Sequence, residues 1–94
     1  MTVHAFVHMV ISDPEKLAAY RTHAAAALAR HGGKLASAAP KPATLEGALP
    51  DADLAAVLEF PDAAAARAWH ADPALAEVHA LRRDSGQSAI LLLA

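Results

Sequence analysis

Ninety-four residues with a formal net charge of −2, eight Lys/Arg against ten Asp/Glu, make one domain with no basic cluster beyond Arg82-Arg83 to neutralise phosphates. The absence of cysteine excludes disulfides, thiolate metal sites and thiol nucleophiles. No apolar run approaches the roughly 20 residues that cross a bilayer, and no basic leader precedes a cleavage site, so the expectation is a cytoplasmic protein with neither nucleic acid nor membrane as partner.

Residues 3–11 (VHAFVHMVI) are rich in β-branched and aromatic types, and alternation sends Val3, Val7, Met9 and Ile11 to one face and His4, Phe6, His8 and Val10 to the other. Both faces carry apolar groups, which predicts a central strand covered on both sides. Ser12-Asp13-Pro14-Glu15 predicts a helix start, because Asp13 can accept from free first-turn amides and Pro14 suits a position whose amide needs no partner. That helix should run for about 18 residues, with Leu17, Tyr20, Ala24, Leu28 and His31 as one stripe and Gly32-Gly33 supplying the positive φ at its end. Lys34–Ala39 predicts a short strand. Pro40, Pro42, Gly47 and Pro50 then mark a connection with room for an edge or hairpin segment around Thr44-Leu45-Glu46. Leu54–Phe60 predicts another strand, and Asp62 caps a helix over Ala63–His70. Asp72-Pro73 opens a further helix to about Arg83, and Gly86 separates it from a last strand at Ser88–Leu93.

The order β-α-β-β-α-β, with an additional helix near the end, predicts an α+β ferredoxin-like fold: one domain over residues 1–94, a four-stranded antiparallel sheet and helices on one face only. The other face has to meet water or a partner, and Phe6 and Val10 on it predict a homodimer formed through the open sheet face. Alanine inflates the apolar fraction of 55%. Burying Ala removes little area from water, so Phe6, Met9, Tyr20, Leu28, Phe60, Trp69 and the Leu91–Leu93 run have to carry the packing.

Six histidines raise the question of a metal. His4 and His8 share a strand, where four residues span roughly 13 Å, too far for one ion at about 2.1 Å, so no metal site is expected. Arg82 is more informative, because the last helix puts it on the stripe with Leu75 and Val78, and a buried guanidinium needs a partner. Glu59, inside an otherwise apolar strand, is equally out of place. Either the two satisfy each other, or Arg82 offers its planar fork to a small carboxylate or enolate. Tyr20 and Trp69 lie on stripes facing the same sheet, so Tyr20, Trp69 and Arg82 are expected to surround one pocket suited to a small planar anion, with Glu59 as the further candidate contact. His31 and His70 are the candidate acid/base residues, being next to the Gly-Gly turn and to Trp69. No strand-turn-helix nucleophile context, P-loop or dinucleotide fingerprint is present, and no cofactor is expected.

Asp13-Pro14 with Tyr20-Arg21, the segment Arg30-His31-Gly32-Gly33-Lys34, Leu45-Glu46-Gly47, Leu58-Glu59-Phe60-Pro61-Asp62 with Ala66-Arg67-Ala68-Trp69, and Leu81-Arg82 together span nearly the whole chain. In these stretches the sequence resembles the domain of unknown function 1330 family of the dimeric α+β barrel group. The resemblance implies a dimeric α+β barrel and no particular reaction. Arg21-Thr22-His23 and Pro40 are more loosely similar to the YciI-like proteins.

Two classes of function follow. One is a small cofactor-free enzyme of isomerase, lyase or oxygenase type acting on a small acidic or aromatic molecule. The other is a non-catalytic ligand-binding or structural dimer.

Overall fold

Strand β1 (Val3–Ile11) runs through the middle of a four-stranded antiparallel sheet, between β3 (Leu54–Phe60) and β4 (Gly86–Leu93), and β2 (Lys34–Pro40) adds the edge beyond β3. The computed structural model describes residues Met1–Ala94. Helix α1 (Pro14–Ala29) connects β1 to β2; α2 (Ala63–Ala71), a 3₁₀ turn (Pro73–Leu75) and α3 (Ala76–Asp84) connect β3 to β4. This is the ferredoxin-like α+β arrangement. None of these helices is long and apolar enough to cross a membrane.

The alternation along β1 holds. Ala5, Val7 and Met9 are buried, whereas His4, Phe6, His8 and Val10 are half-buried on the other face. The buried set packs with Leu58 and Phe60 of β3 and with Leu17, Ala27, Leu28, Ala66, Trp69 and Leu75 from the helical layer. Each helix start is a local capping event. Asp13 Oδ1 accepts from the Lys16 amide at 3.1 Å and Asp62 Oδ1 from the Ala65 amide at 2.7 Å. Helix α1 is 16 residues long, because its last carbonyls are closed off early. The Gly33 amide donates to Leu28 O at 2.8 Å and the Gly32 amide to Ala29 O at 3.1 Å, a Schellman closure with Gly32 at φ +72°. The two glycines differ in purpose. A Cβ on Gly33 would lie 2.7 Å from the buried Phe60 ring, so Gly33 is there for packing.

Three expectations change. No edge or hairpin strand forms around Thr44-Leu45-Glu46; residues 41–53 are irregular, since β3 is already paired on both sides. The connection is held instead by Asp53, whose Oδ2 accepts from the Ile11 amide at 2.7 Å and whose amide donates to Met9 O at 2.9 Å. It also reaches the open face, where the His8 ring Nε2 meets Pro50 O at 3.0 Å. The Leu91–Leu93 run is split by strand alternation: Leu92 packs on the core, but Leu91 and Leu93 are exposed on the face that carries His4 and Phe6. Finally, the last helix begins as a 3₁₀ turn and β4 starts at Gly86.

Candidate functional site

Tyr20, Trp69 and Arg82 do come together. Arg82 is 2% exposed, and its guanidinium carbon lies 5.6 Å from the centre of the Tyr20 ring and 5.3 Å from that of Trp69. Ring faces carry negative quadrupole density, so two of them partly replace the water that the cation lost. The fourth member is His79, a buried residue of α3. Its Nε2 is 2.9 Å from Trp69 O and its Nδ1 2.7 Å from Arg82 Nη1. A carbonyl only accepts and a guanidinium only donates, so the imidazole is neutral with its proton on Nε2. Burial pushes the His79 pKa down, opposed by the bond to Trp69 O and reinforced by the Arg82 charge. The stability tied to this neutral ring is therefore present above its ordinary value of 6.5 and lost as pH falls through the depressed folded value.

Of the two readings of Arg82, the pair with Glu59 does not form. Glu59 faces the opposite side of the sheet, where its carboxylate meets Lys34 Nζ at 3.0 Å and His4 Nε2 at 3.4 Å. The Lys34 bond holds the Glu59 carboxyl below its ordinary range, with burial opposing it and His4 assisting. The chain's ion pairs are His4–Glu59, Arg30–Asp72, His31–Asp72 and Lys34–Glu59. None reaches Arg82. Its Nε and the Trp69 indole N–H are both buried without a hydrogen-bond partner. The core thus contains a cation with no counter-charge, one of its own N–H groups unmet and the unmet indole N–H of Trp69.

Trp69 also lines a cavity of about 150 Å³ between α2 and the β1–β4 half of the sheet. Its walls are Ala5, Phe60, Ala66, Trp69, Ile90 and Leu92, and its two polar residues are Arg67 and His70. Arg82 and Tyr20 are not among them, so the single pocket expected around Tyr20, Trp69 and Arg82 is a packed cluster, with the open space on another side of the Trp69 ring. His70 is exposed, with its ring centre 6.3 Å from that of Trp69 and 5.7 Å from that of His79.

His31 stands elsewhere. Its Nε2 is 2.8 Å from Asp72 Oδ2, an oxygen shared with Arg30 Nε at 2.9 Å, while Asp72 Oδ1 accepts from the Ala74 amide at 2.8 Å. These contacts tie the end of α1 to the α2–α3 junction and depress the Asp72 pKa to about 2, the His31 bond being the largest cause. Asp72 therefore stabilises the fold above its unfolded value of 3.8, and the gain is lost as pH falls toward about 2. Asp72→Asn retains a good cap, so it isolates the charge. Its melting temperature is expected to lie below wild type at neutral pH and to converge with it by about pH 2. Thermal unfolding across the acid range measures this, and a gap that persists unchanged at the lowest pH contradicts it.

No three His, Asp or Glu side chains are grouped so as to hold a metal ion. His79 was the residue that sequence reasoning left unplaced. Its signal was present, since it falls three positions before Arg82 and four after Leu75, on the same helical stripe.

The sequence matches, over residues 2–94, the family described as Domain of unknown function (DUF1330). The chain belongs to that family. The fold of this DUF1330 chain is similar to a protein of unknown function from Rhodopseudomonas palustris, 22% identical with a TM-score of 0.76, covering 98% of this chain and 80% of that one. It is likewise similar to a dimeric ferredoxin-like protein of unknown function from Jannaschia sp. CCS1, at 12% identity and a TM-score of 0.74, with 100% and 99% of the two chains covered. A third similar structure is SnoaB of Streptomyces nogalater, a cofactor-independent oxygenase, at 18% identity and a TM-score of 0.66, with 99% and 90% covered. No curated protein matches the sequence.

Proposed function

We propose that this DUF1330 protein is a homodimer that binds a small planar molecule of acidic character in the cavity beside Trp69, and acts on it without a cofactor. The cavity carries the proposal: about 150 Å³ is room for one six-membered ring, six of its eight lining residues are hydrophobic, and its polar residues are one cation and one imidazole. Arg82 contributes through its field. A buried positive charge with no acid beside it favours an anion nearby, and Trp69 is the residue common to both. His70 is the group that takes a proton from the ligand, so that an enolate- or phenolate-like anion forms in a cavity separated from the uncompensated cation by the Trp69 ring. Such an anion is the reactive species an isomerase, lyase or oxygenase of cofactor-free type requires, and SnoaB shows that this fold hosts one such activity. The second reading, a non-catalytic binding or structural dimer, draws support from the filled Tyr20–Arg82–Trp69 cluster.

The chain has a single tryptophan, so its fluorescence reports on the cavity directly. Titration with a panel of benzoates, phenols and cyclic β-dicarbonyls is expected to perturb Trp69 emission, anions more than their neutral isosteres. Ala66→Leu fills the cavity and is expected to abolish the response. Arg82→Met is expected to cost about 1–2 kcal/mol, because His79 Nδ1 loses its donor although no carboxylate is stranded and Met packs well between rings, while weakening the preference for anions. Arg82→Lys is expected to cost about 2–3 kcal/mol, since a compact ammonium leaves more donors unmet than a planar fork. If Met costs more than Lys, Arg82 is a structural pillar and the anion reading fails. Retained binding in His70→Gln with loss of turnover separates enzyme from binder.

The homodimer is proposed through the open face, which presents Phe6, Val10, Leu91 and Leu93 beside the 41–53 connection. Light scattering is expected to give twice the chain mass, and Phe6→Asp with Leu91→Asp a folded monomer. A wild-type monomer would rule this interface out.

A further inference from the structure

A second, larger hollow of about 530 Å³ lies on the helical side of the sheet, between α1 and β2. It arises from side-chain size. On α1 the positions next to the buried Leu17–Leu28 stripe are Ala24, Ala25 and Ala29, too short to reach the edge strand. On β2 the side chains facing this way are Leu35 and Ala38, in register with Leu58 and Ala56 of β3. Every residue of β2 is exposed, and Leu35 is 55% exposed although its register partner Leu58 is buried. The result is an apolar trough roofed on one side only.

The charges at this trough are of one sign. Its polar residues are Tyr20, Arg21 and Lys34, with no Asp or Glu. Lys34 is paired with Glu59 on the other side of the edge, whereas Arg21 takes part in no ion pair. An apolar trough of this volume with a free guanidinium on its rim matches an amphiphile with an acidic head.

We infer that the α1–β2 trough is a second binding site, for an acyl-chain carboxylate whose hydrocarbon lies along Ala25, Ala29 and Leu35 and whose head pairs with Arg21. It is separate from the ring-sized cavity beside Trp69, whose lining shares no residue with it.

Calorimetric titration of the full chain with hexanoate, octanoate and decanoate, and with the matched alcohols, tests the site. Affinity is expected to rise about fourfold per added methylene, and each carboxylate to bind more tightly than its alcohol. Arg21→Gln is expected to weaken the carboxylates about tenfold and to leave the alcohols unchanged. Ala25 is exposed, so Ala25→Phe keeps the fold and is expected to block both series. Ala66→Leu, which fills the other cavity, is expected to change neither. Affinity that does not depend on chain length, or an Ala25→Phe variant that binds like wild type, overturns the proposal. So does a lowered oligomeric state in Leu35→Asp without fatty acid binding to wild type, which makes the trough a contact between copies.

Discussion

Gly86→Ala is expected to destabilise the protein by about 3 kcal/mol or more, a large part of the roughly 5–15 kcal/mol that holds a domain of this size together. Gly86 opens β4 opposite Ile11, where β1 and β4 come together as β1 ends. A Cβ there would overlap the Val10 carbonyl oxygen and lie 2.9 Å from Ser12 N and 3.0 Å from Ile11 Cα. All three are backbone atoms of the central strand and its exit, so no side chain can rotate away. The next residue back is equally constrained. Ser85 is fully buried, and its carbonyl accepts from the amides of Ser12 and Asp13 at 2.8 and 2.9 Å. Pushing β4 outward to admit a methyl group would pull on these bonds and on the Asp13 cap of α1. Gly47→Ala is the control. No atom lies within 4 Å of its Cβ position, so its φ of +88° leaves only the backbone cost of roughly 1 kcal/mol. Urea unfolding of both variants decides it, and equal midpoints would show that the β1–β4 junction can open freely.

Trp69→Ala is expected to cost about 3–5 kcal/mol and to leave the chain close to its unfolding threshold at room temperature. The ring is 2% exposed, with Phe60 at 5.5 Å and His79 edge-on at 4.7 Å between ring centres. Removing it opens a void, deprives Arg82 of one of its two ring faces and merges that void with the cavity lined by Ala5 and Ile90. Trp69→Phe separates these contributions. It keeps an aromatic face and discards an indole N–H that has no partner, so it is expected to lose no more than about 2 kcal/mol. Circular dichroism with denaturant gives both numbers. Equal losses for Phe and Ala would mean that the indole N–H has a partner in solution.

The four strands and the starts of α1 and α2 were legible in the sequence, because their causes are local. Asp13-Pro14 and Asp62 act on amides three residues away, Gly32 closes the helix behind it, and β1 shows its two faces by alternation. Even the separation of Glu59 from Arg82 was written in β3: Leu54, Ala56, Leu58 and Phe60 form the face toward the helices, and Glu59 falls between them on the other. The stripe on α3 likewise announced a buried Arg82, while His79 on the same stripe went unread. What no local rule supplies is which stripes meet, and how much space remains between them. That Arg82 finds two rings and an imidazole in place of a carboxylate depends on the packing of α1 against α3 and of Trp69 against His79, contacts between residues as much as 62 positions apart. The two hollows have the same origin. Alanine leaves open whether a neighbouring side chain fills the space it vacates; beside α2 and along β2 none does, and there the tertiary structure alone decided where open space remains.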